Sequence, residues 1–321
     1  MSNQSNPKDF VTPDMSDIDE ARIDALMRGA VDLHVHSGPS VMPRQLDHLA
    51  ALEEASAAGM RAIVFKDHYY PSSVAAEMFN ERFPDMVAEA LGSVVLNNAV
   101  GGFNPYAVEP ALRMGAKIVW MPTISAANHI RAGHRKNLLP TKVPMLKQAG
   151  LSPVNALGEV VDSVKQVLDL VAQHDATLSA GHLHISEIWP LFEEARRRGV
   201  TRLLVNHPTF TIEASYADMR ELAEAGVFLE HSACMFIENR MRSIGADVLA
   251  ELIEAGTIGQ TFFGSDLGQI NAPRPVEGMR MTIRLLLAMG YSDEEVRAMV
   301  SGNAARLVGL GHEAPALARS A

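Results

Sequence analysis

The segment EEASAAGMRAIVF, residues 53–65, indicates a helix that ends at Gly59 and is followed at once by a short buried strand. The segment FEEARRRGVTRLLV, residues 192–205, has the same pattern around Gly199. Glycine readily adopts the left-handed conformation that closes a helix, and a continuous apolar run suits a strand covered on both faces. Both segments are therefore typical of a parallel sheet with crossover helices.

Eight such apolar runs alternate with helical patterns from residue 30 onward. They are AVDLHVH (30–36), MRAIVFKDH (60–68), GSVVLNN (92–98), AKIVWMPT (116–123), ATLSAGHLH (176–184), TRLLVNHP (201–208), GVFLEHS (226–232) and TFFGSDLG (261–268). Eight strands separated by helices predict an α/β fold, a closed (β/α)8 TIM barrel rather than an open doubly wound sheet. Further helices are expected near 277–289, 292–300 and 303–309.

The chain is expected to form one barrel domain over residues 19–311. A polar N-terminal arm (1–18), flexible or in contact with another subunit, precedes it, and a C-terminal tail (312–321) follows. The connection 124–157 is too long for an ordinary link between elements of a barrel. It predicts a lid inserted after the fourth strand, over the barrel mouth.

Composition narrows the range of functions. The 321 residues are 47% hydrophobic and 21% charged, with a net charge of −10, which indicates a globular protein and argues against nucleic-acid partners. The one cysteine, Cys234, excludes an internal disulfide and a multi-cysteine zinc site. A reducing compartment is thus expected, and any metal must use histidines and carboxylates. Without a signal peptide or a membrane-spanning run, we expect a cytoplasmic protein with no membrane partner.

Polar residues stand at the C-terminal ends of the predicted strands, where barrel enzymes hold their active sites. His34 and His36 end the first strand, and alternation along the strand directs both imidazoles into the barrel. His182 ends the fifth strand, His207 the sixth and Asp266 the eighth, which pairs with the first in a closed barrel. Two imidazoles in one dry barrel interior are costly without a cation, so His34 and His36 predict a metal site, and a buried Asp266 needs a metal or a basic partner.

These same segments carry a family resemblance. VDLHVHSGP, SAGHLH, LLVNHP, FFGSDLG and the terminal SGNAARLVGL resemble the metal-dependent amidohydrolase superfamily, particularly its amidohydrolase-related branch of TIM-barrel hydrolases and decarboxylases, over residues 30–310. The resemblance implies zinc or a similar divalent ion bound by His34, His36 and His182, with Asp266 as ligand and proton shuttle. It also implies that His207 binds a second metal or polarises the substrate.

The fourth strand departs from that family pattern. It ends in VWMPT, where two-metal members carry a carboxylated lysine or a glutamate, and Lys117 lies at its opposite end. Lys66 and His68 share a face at the end of the second strand, and a carboxylated Lys66 would supply a bridge. Alternatively, the Lys66 amine pairs with Asp67 or with a substrate anion. One tight metal site is therefore expected, and a second ion is left open.

Further polar residues near the same rim are candidates for substrate binding. Arg44 follows the first strand and either holds a substrate carboxylate or forms a surface salt bridge. His68, Tyr69 and Arg274 complete the predicted substrate-binding set. Other residues on loops at this rim are Tyr70, His129, His134 and Arg135.

Two groups of residues are given less weight. Glu230 and His231 are neighbours on the seventh strand, so only one of them faces inward, and neither is assigned a role. His48, His174 and His184 are interpreted as hydrogen-bonded structural histidines.

Hydrolysis of an amide or ester, open-chain or cyclic, in a small organic molecule is the leading functional hypothesis. In it a metal-activated water attacks the carbonyl, Asp266 accepts and returns the proton, and His207 or Lys66 polarises the carbonyl. Non-oxidative decarboxylation of a small carboxylic acid at the same mononuclear site is the alternative, and a non-catalytic metal-binding barrel is the third. A small-molecule substrate and a homo-oligomer are expected.

Overall fold

Eight parallel strands form one sheet in sequential order, as found in a computed structural model that describes residues 10–133 and 141–311. They are β1 (Val31–Val35), β2 (Ala62–Phe65), β3 (Glu89–Val95), β4 (Ala116–Trp120), β5 (Thr177–Ser179), β6 (Arg202–Asn206), β7 (Phe228–Ser232) and β8 (Thr261–Gly264). Each predicted apolar run overlaps one of them. The strands alternate with helices in a nearly closed barrel, so the predicted (β/α)8 class is confirmed.

The described residues form twelve α-helices. They are α1 (Glu20–Met27), α2 (His48–Ala57), α3 (Ser73–Arg82), α4 (Pro105–Arg113), α5 (Ala127–Ala132), α6 (Asp162–Gln173), α7 (Ile185–Arg197), α8 (Tyr216–Glu224), α9 (Ala246–Gly256), α10 (Pro275–Ala288), α11 (Asp293–Arg297) and α12 (Asn303–Leu307). The last three match the predicted C-terminal helices, and a π-helical turn, Ala298–Gly302, joins α11 to α12.

Local sequence explains how the helices begin and end. The Asp47 side chain accepts the Ala50 N–H and thereby caps the start of α2. Gly59 and Gly199, with φ of +71° and +87°, occupy the left-handed region just after α2 and α7. The helix-closing role predicted for these two glycines is confirmed, and each glycine leads into the strand that follows.

An apolar layer fills the lower part of the barrel and supports the polar residues above it. It contains Leu33, Val64 and Leu204 from the strands, and α12 packs against it through Leu307. Trp120, at the end of β4, belongs to the same layer and is fully buried. Its indole lies beneath the polar cavity, with its ring centroid 5.1 Å from that of His34.

The barrel closes between β1 and the segment that follows β8. The Asp266 N–H donates to the His34 carbonyl (2.8 Å), and the His36 N–H donates to the Leu267 carbonyl (2.8 Å). Gly268 allows this approach, because a Cβ there would lie 1.6 Å from the His36 carbonyl oxygen. The seam therefore brings Asp266 beside the two histidines, as the sequence predicted.

Several strands end earlier than the predicted runs. β5 ends at Ser179, so His182 lies in the following loop, where the His182 N–H donates to the Pro122 carbonyl (2.9 Å). Asn206 is the last residue of β6, and His207 directly follows it. His182 and His207 thus lie just beyond the ends of their strands, at the mouth of the barrel.

The predicted lid is only partly covered by the described residues. Within 141–157, the Lys142 N–H donates to the Val41 carbonyl and the Ala149 N–H donates to the Asn98 side chain. None of the described residues of 124–157 lines the central cavity, so the lid stays a prediction. His134, Arg135, residues 1–9 of the N-terminal arm and the tail at 312–321 lie outside the described residues.

The described end of the N-terminal arm packs near the start of α9. The Ala246 N–H donates to the Val11 carbonyl (2.9 Å), and the Arg242 guanidinium donates to the Thr12 hydroxyl (2.7 Å). Within the described ranges, no helix has both the length and the apolar character needed to cross a membrane.

Candidate metal centre

Three polar side chains converge at the top of the barrel. His34 Nε2 and His36 Nε2 lie 3.2 and 2.9 Å from the same oxygen, Asp266 Oδ1. One ligand atom from each residue falls within 4.8 Å of the other two. This spacing allows all three atoms to approach one cation, given metal–ligand distances of about 2.0–2.2 Å.

Hydrogen bonds on the far side of each imidazole determine which nitrogen faces this centre. His34 donates its Nδ1–H to Glu230 Oε1 (2.7 Å), and His36 donates its Nδ1–H to the Lys66 carbonyl (3.0 Å). Both acceptors lack hydrogen, so each neutral ring keeps its lone pair on Nε2. Two lone pairs then face a carboxylate oxygen at about 3 Å, and such acceptors need a proton or a cation between them.

The electrostatic environment favours a neutral His36 ring beside a charged carboxylate. Burial, followed by the nearby Arg44 charge, lowers the pKa of His36 to about 3. Burial acts to raise the pKa of Asp266, but its electrostatic interaction with His34 and its hydrogen bond with His36 hold that pKa well below its ordinary value. Neutral imidazole and ionised carboxylate are the forms that bind zinc. The donor set therefore fits a divalent ion.

The remaining predicted histidines surround the same cavity. Successive ring centroids are 5.2 Å apart for His34 and His36, 5.1 Å for His36 and His68, and 6.5 Å for His68 and His182. His207 completes the circle, 5.0 Å from His182 and 6.1 Å from His34. Among the described residues, however, the tight group of candidate ligands contains only His34, His36 and Asp266.

The ring nitrogens of His182 and His207 have different hydrogen-bond partners. His182 Nδ1 lies 2.8 Å from His129 Nδ1, and His207 Nε2 lies 2.8 Å from the Asn206 amide. His207 Nδ1 is buried and has no hydrogen-bond partner in the described part of the chain. Burial lowers the pKa of His207 to about 4, so this nitrogen belongs to a neutral ring.

Two candidate residues have backbone conformations that side chains rarely adopt. His207 and Asp266 have φ of +33° and +49°. A positive φ costs roughly 1–3 kcal/mol outside glycine and persists where surrounding contacts impose it. Both residues sit at the cavity rim, where the backbone turns sharply after a strand.

Lys66 stands directly at the candidate metal position. Its Nζ donates to His34 Nε2 (2.7 Å) and lies 4.3 Å from the Trp120 ring centroid. Burial lowers the pKa of this amine to about 8. An ammonium and a divalent ion cannot share one lone pair, so metal binding at His34 requires Lys66 to turn away or to lose its charge. The Asp67 carboxylate instead accepts the Tyr69 backbone N–H, so the alternative pairing of Lys66 with Asp67 is not found.

Glu230 is the main residue that the sequence interpretation left without a role. Its side chain is fully buried, and Oε1 accepts hydrogen bonds from both His34 Nδ1 and the Ser232 hydroxyl (2.7 Å). Gly264 makes space for it, because a Cβ there would lie 2.9 Å from Glu230 Oε1. Its neighbour His231 packs 6.0 Å from the Phe263 ring. The alternation of side chains along β7 could have indicated that Glu230 faces inward. Its partner, His34, is identified only by the closure of the barrel.

Replacing Glu230 with Gln is expected to weaken zinc binding about 10- to 100-fold, which is typical when the group that orients a metal-ligating histidine is changed. The neutral amide cannot accept the His34 Nδ1–H as strongly, and its NH2 group favours the wrong tautomer. Competition with a chelator measures the change. Glu221→Gln, on the exposed side of α8, is the matched control. Unchanged zinc affinity in Glu230→Gln would show that His34 needs no orienting carboxylate.

The structure places the predicted substrate-binding residues in three different environments. Arg44 and His68 line the cavity, and Arg44 is partly buried and forms no ion pair with a carboxylate of the described residues, so the alternative of a surface salt bridge is not found there. Tyr69 is buried against Met42 and does not line the cavity. Arg274 also lies outside the cavity lining and pairs with Glu54, because it precedes α10 on the outer side of the barrel.

The three histidines interpreted as structural have local partners. His48 Nδ1 bonds to the Ser37 hydroxyl (2.6 Å), and His174 Nδ1 donates to the Leu170 carbonyl (3.0 Å). His184 caps α7 by accepting the Ser186 N–H. None of the three lines the described cavity.

Comparisons with known proteins agree with this architecture. Residues 29–230 match the model of a family of unknown function (DUF6282), which is more than half of the chain. The chain belongs to this family. No curated protein matches the sequence.

Solved structures with similar folds include an amidohydrolase from Pseudomonas aeruginosa, with a TM-score of 0.60 and 11% identity over 91% of this chain and 98% of that one. A probable dipeptidase from the same organism has a TM-score of 0.58 and 10% identity over 90% and 97%. The 2,6-dihydroxybenzoate decarboxylase from Rhizobium has a TM-score of 0.52 and 12% identity over 88% and 99%. The resemblance to the amidohydrolase superfamily is thus confirmed at the level of fold.

Proposed function

We propose that this DUF6282 member is a metal-dependent hydrolase that cleaves an amide or ester, open-chain or cyclic, in a small organic molecule. The observation that carries the proposal is the convergence of His34 Nε2, His36 Nε2 and Asp266 Oδ1 at one point of a cavity of about 300 Å³. This volume is at the lower end of the range for small-molecule sites.

One divalent ion, zinc, is proposed at this point, with His182 and His207 as further ligand candidates. Two imidazoles and a carboxylate are a common zinc donor set. When bound, such an ion acidifies water for nucleophilic attack and polarises a carbonyl. If Lys66 is carboxylated, it would bridge this ion to a second one.

Side chains of the protein supply proton transfer, carbonyl polarisation and the exclusion of water. The Asp266 carboxylate accepts the proton of the attacking water and returns it to the leaving group. Its oxygens are suited to this because Oδ1 faces both histidines, whereas Oδ2 accepts a weak hydrogen bond from the Cys234 thiol, 3.6 Å away. Either His207 or Lys66 polarises the carbonyl under attack. Buried Trp120 closes the floor and excludes water from below.

Metal content and product oxygen together test the proposal. The protein is purified without chelators, its metals are quantified, and it is incubated with small amides, esters and lactones in ¹⁸O-labelled water. We expect about one zinc per chain and one solvent oxygen in the new carboxylate. An anomalous-scattering map shows whether a second ion lies next to Lys66.

Two other results would contradict hydrolysis. Release of carbon dioxide from a carboxylic acid, with no solvent oxygen in the organic product, would assign non-oxidative decarboxylation to the same ligands. A protein without bound metal and without turnover of any compound would favour a non-catalytic barrel. Cytoplasmic location and a homo-oligomeric state stay predictions.

A further inference from the structure

The cavity is positively charged although the protein as a whole is strongly acidic. Its described lining contains one carboxylate, Asp266, and four cationic side chains, Arg44, Lys66, Arg240 and Arg242. The whole chain has a net charge of −10. An excess of one charge sign in a cleft concentrates ligands of the opposite sign. A bound divalent ion adds to this positive charge.

Arg44 lies next to the candidate metal ligand His36, and its hydrogen-bonding capacity is largely unused. Its Nε is buried and has no hydrogen-bond partner among the described residues. Its Nη2 lies 3.3 Å from His36 Nδ1 and 3.6 Å from the Met42 sulfur. When His36 Nδ1–H donates to the Lys66 carbonyl, as metal binding through Nε2 requires, it cannot also accept from Arg44. In the loaded site, the weak acceptor Met42 is therefore the one hydrogen-bond partner that the described residues offer the Arg44 guanidinium.

The two arginines of the loop after β7 differ from each other. Arg242 pairs with Glu238 and donates to the Thr12 hydroxyl, so its charge is used to hold the loop in place. Arg240 is exposed, lines the cavity, and has neither a hydrogen bond nor an ion pair within the described residues. Arg240 is thus available to a ligand at the cavity mouth, whereas Arg242 is not.

We propose that the substrate of this site carries a carboxylate, which Arg44 binds and Arg240 attracts at the mouth. The inference rests on the proposed hydrolase function and specifies its substrate class. A guanidinium matches a carboxylate with two parallel hydrogen bonds, and a neutral ligand would leave the partly buried Arg44 without an ion-pair partner among the described residues. Arg44 contacts the ring of His36, so the carboxylate lies only a few bonds from the carbonyl that is cleaved.

Binding to the metal-free protein tests the inference without any need for turnover. The probes are benzoate, succinate and N-acetylglycine, each compared with its neutral carboxamide by ligand-observed NMR and calorimetry. Without metal, coordination of the carboxylate to an ion cannot contribute. We expect at least one carboxylate to bind about tenfold or more tightly than its amide, the gain of a charge-assisted hydrogen bond. The preference should shrink as salt is added.

Matched variants assign the effect to residues. Arg44→Gln is expected to reduce carboxylate affinity about 10- to 100-fold. Arg44→Lys should keep part of that affinity, because the positive charge stays while the two parallel hydrogen bonds of the guanidinium are lost. Arg240→Gln should have a smaller effect that disappears at high salt. Arg113→Gln, which removes an exposed partner of Glu109 on α4, should bind like the wild type. Thermal unfolding confirms that each variant is folded.

The outcomes separate this inference from the proposed function. Equal binding of acids and amides, or full carboxylate affinity in a folded Arg44→Gln protein, would overturn the inference, even if the enzyme hydrolyses neutral esters through zinc. Conversely, Arg44-dependent carboxylate binding by a protein that neither holds metal nor hydrolyses any ester or amide supports the anion site while the hydrolase proposal fails.

Discussion

Asp266→Asn is expected to lower kcat by about 10²- to 10⁴-fold, the usual contribution of a general acid–base residue, while the protein keeps most of its zinc. The amide oxygen still faces both histidines, so the ligand geometry is largely preserved. The amide cannot accept a proton from water, however, and cannot return one to the leaving group. Turnover and metal content are measured on the same preparation.

Asp293→Asn is the matched control for this substitution. Asp293 lies on α11, half exposed and paired with Arg22, far in the sequence from any cavity residue. It should leave both kcat and zinc content unchanged. A metal-loaded Asp266→Asn protein with wild-type turnover would remove Asp266 from the proton transfer, and another group would have to carry it.

The double substitution of His34 and His36 by Ala is expected to abolish zinc binding and to lower turnover at least about 1,000-fold, since enzymes commonly accelerate reactions by 10⁶-fold or more. Two of the three converging ligand atoms are removed, and the Asp266 carboxylate alone does not retain a divalent ion against dialysis. Zinc content after dialysis and the rate with excess zinc provide the two readouts.

His174→Ala is the histidine control for this double variant. His174 follows α6, and among the described residues its side chain bonds to the Leu170 carbonyl, so zinc content and turnover should stay at the wild-type level. Zinc bound with full stoichiometry in the folded double variant would mean that the ion is held elsewhere, by His182 and His207 for example. The identification of this metal centre would then be wrong.

Much of the candidate site was predictable because its signals are local. Alternation along β1 directs His34 and His36 to the same side, and the order of the strands around a barrel brings Asp266 to them. His68 and Arg44 follow strand ends closely enough that their place at the cavity was also predictable. Arg274 was misplaced because a position near a strand end does not determine whether a loop residue faces the cavity or the outer helices.

Other features of the site depend on contacts with distant residues, which no short sequence pattern identifies. Glu230 lies beside His34 only because β7 and β1 flank β8 in the closed barrel and because Gly264 lacks a side chain. Arg240 and Arg242 are two residues apart and chemically alike. Their difference arises from Glu238, which neutralises the charge of Arg242, and from Thr12, whose hydroxyl accepts a hydrogen bond from it.

The sequence by itself determined the eight-fold alternation of strands and helices, because backbone conformation and the burial of neighbouring side chains depend on residues a few positions apart. It also determined that any metal must be held by histidines and carboxylates. Only the tertiary structure decided which lone pairs face one another, which carboxylate orients His34, and which cations remain unpaired in the cavity. Those properties depend on distances of about 3 Å between residues far apart in the chain, and such distances exist only once the barrel has closed.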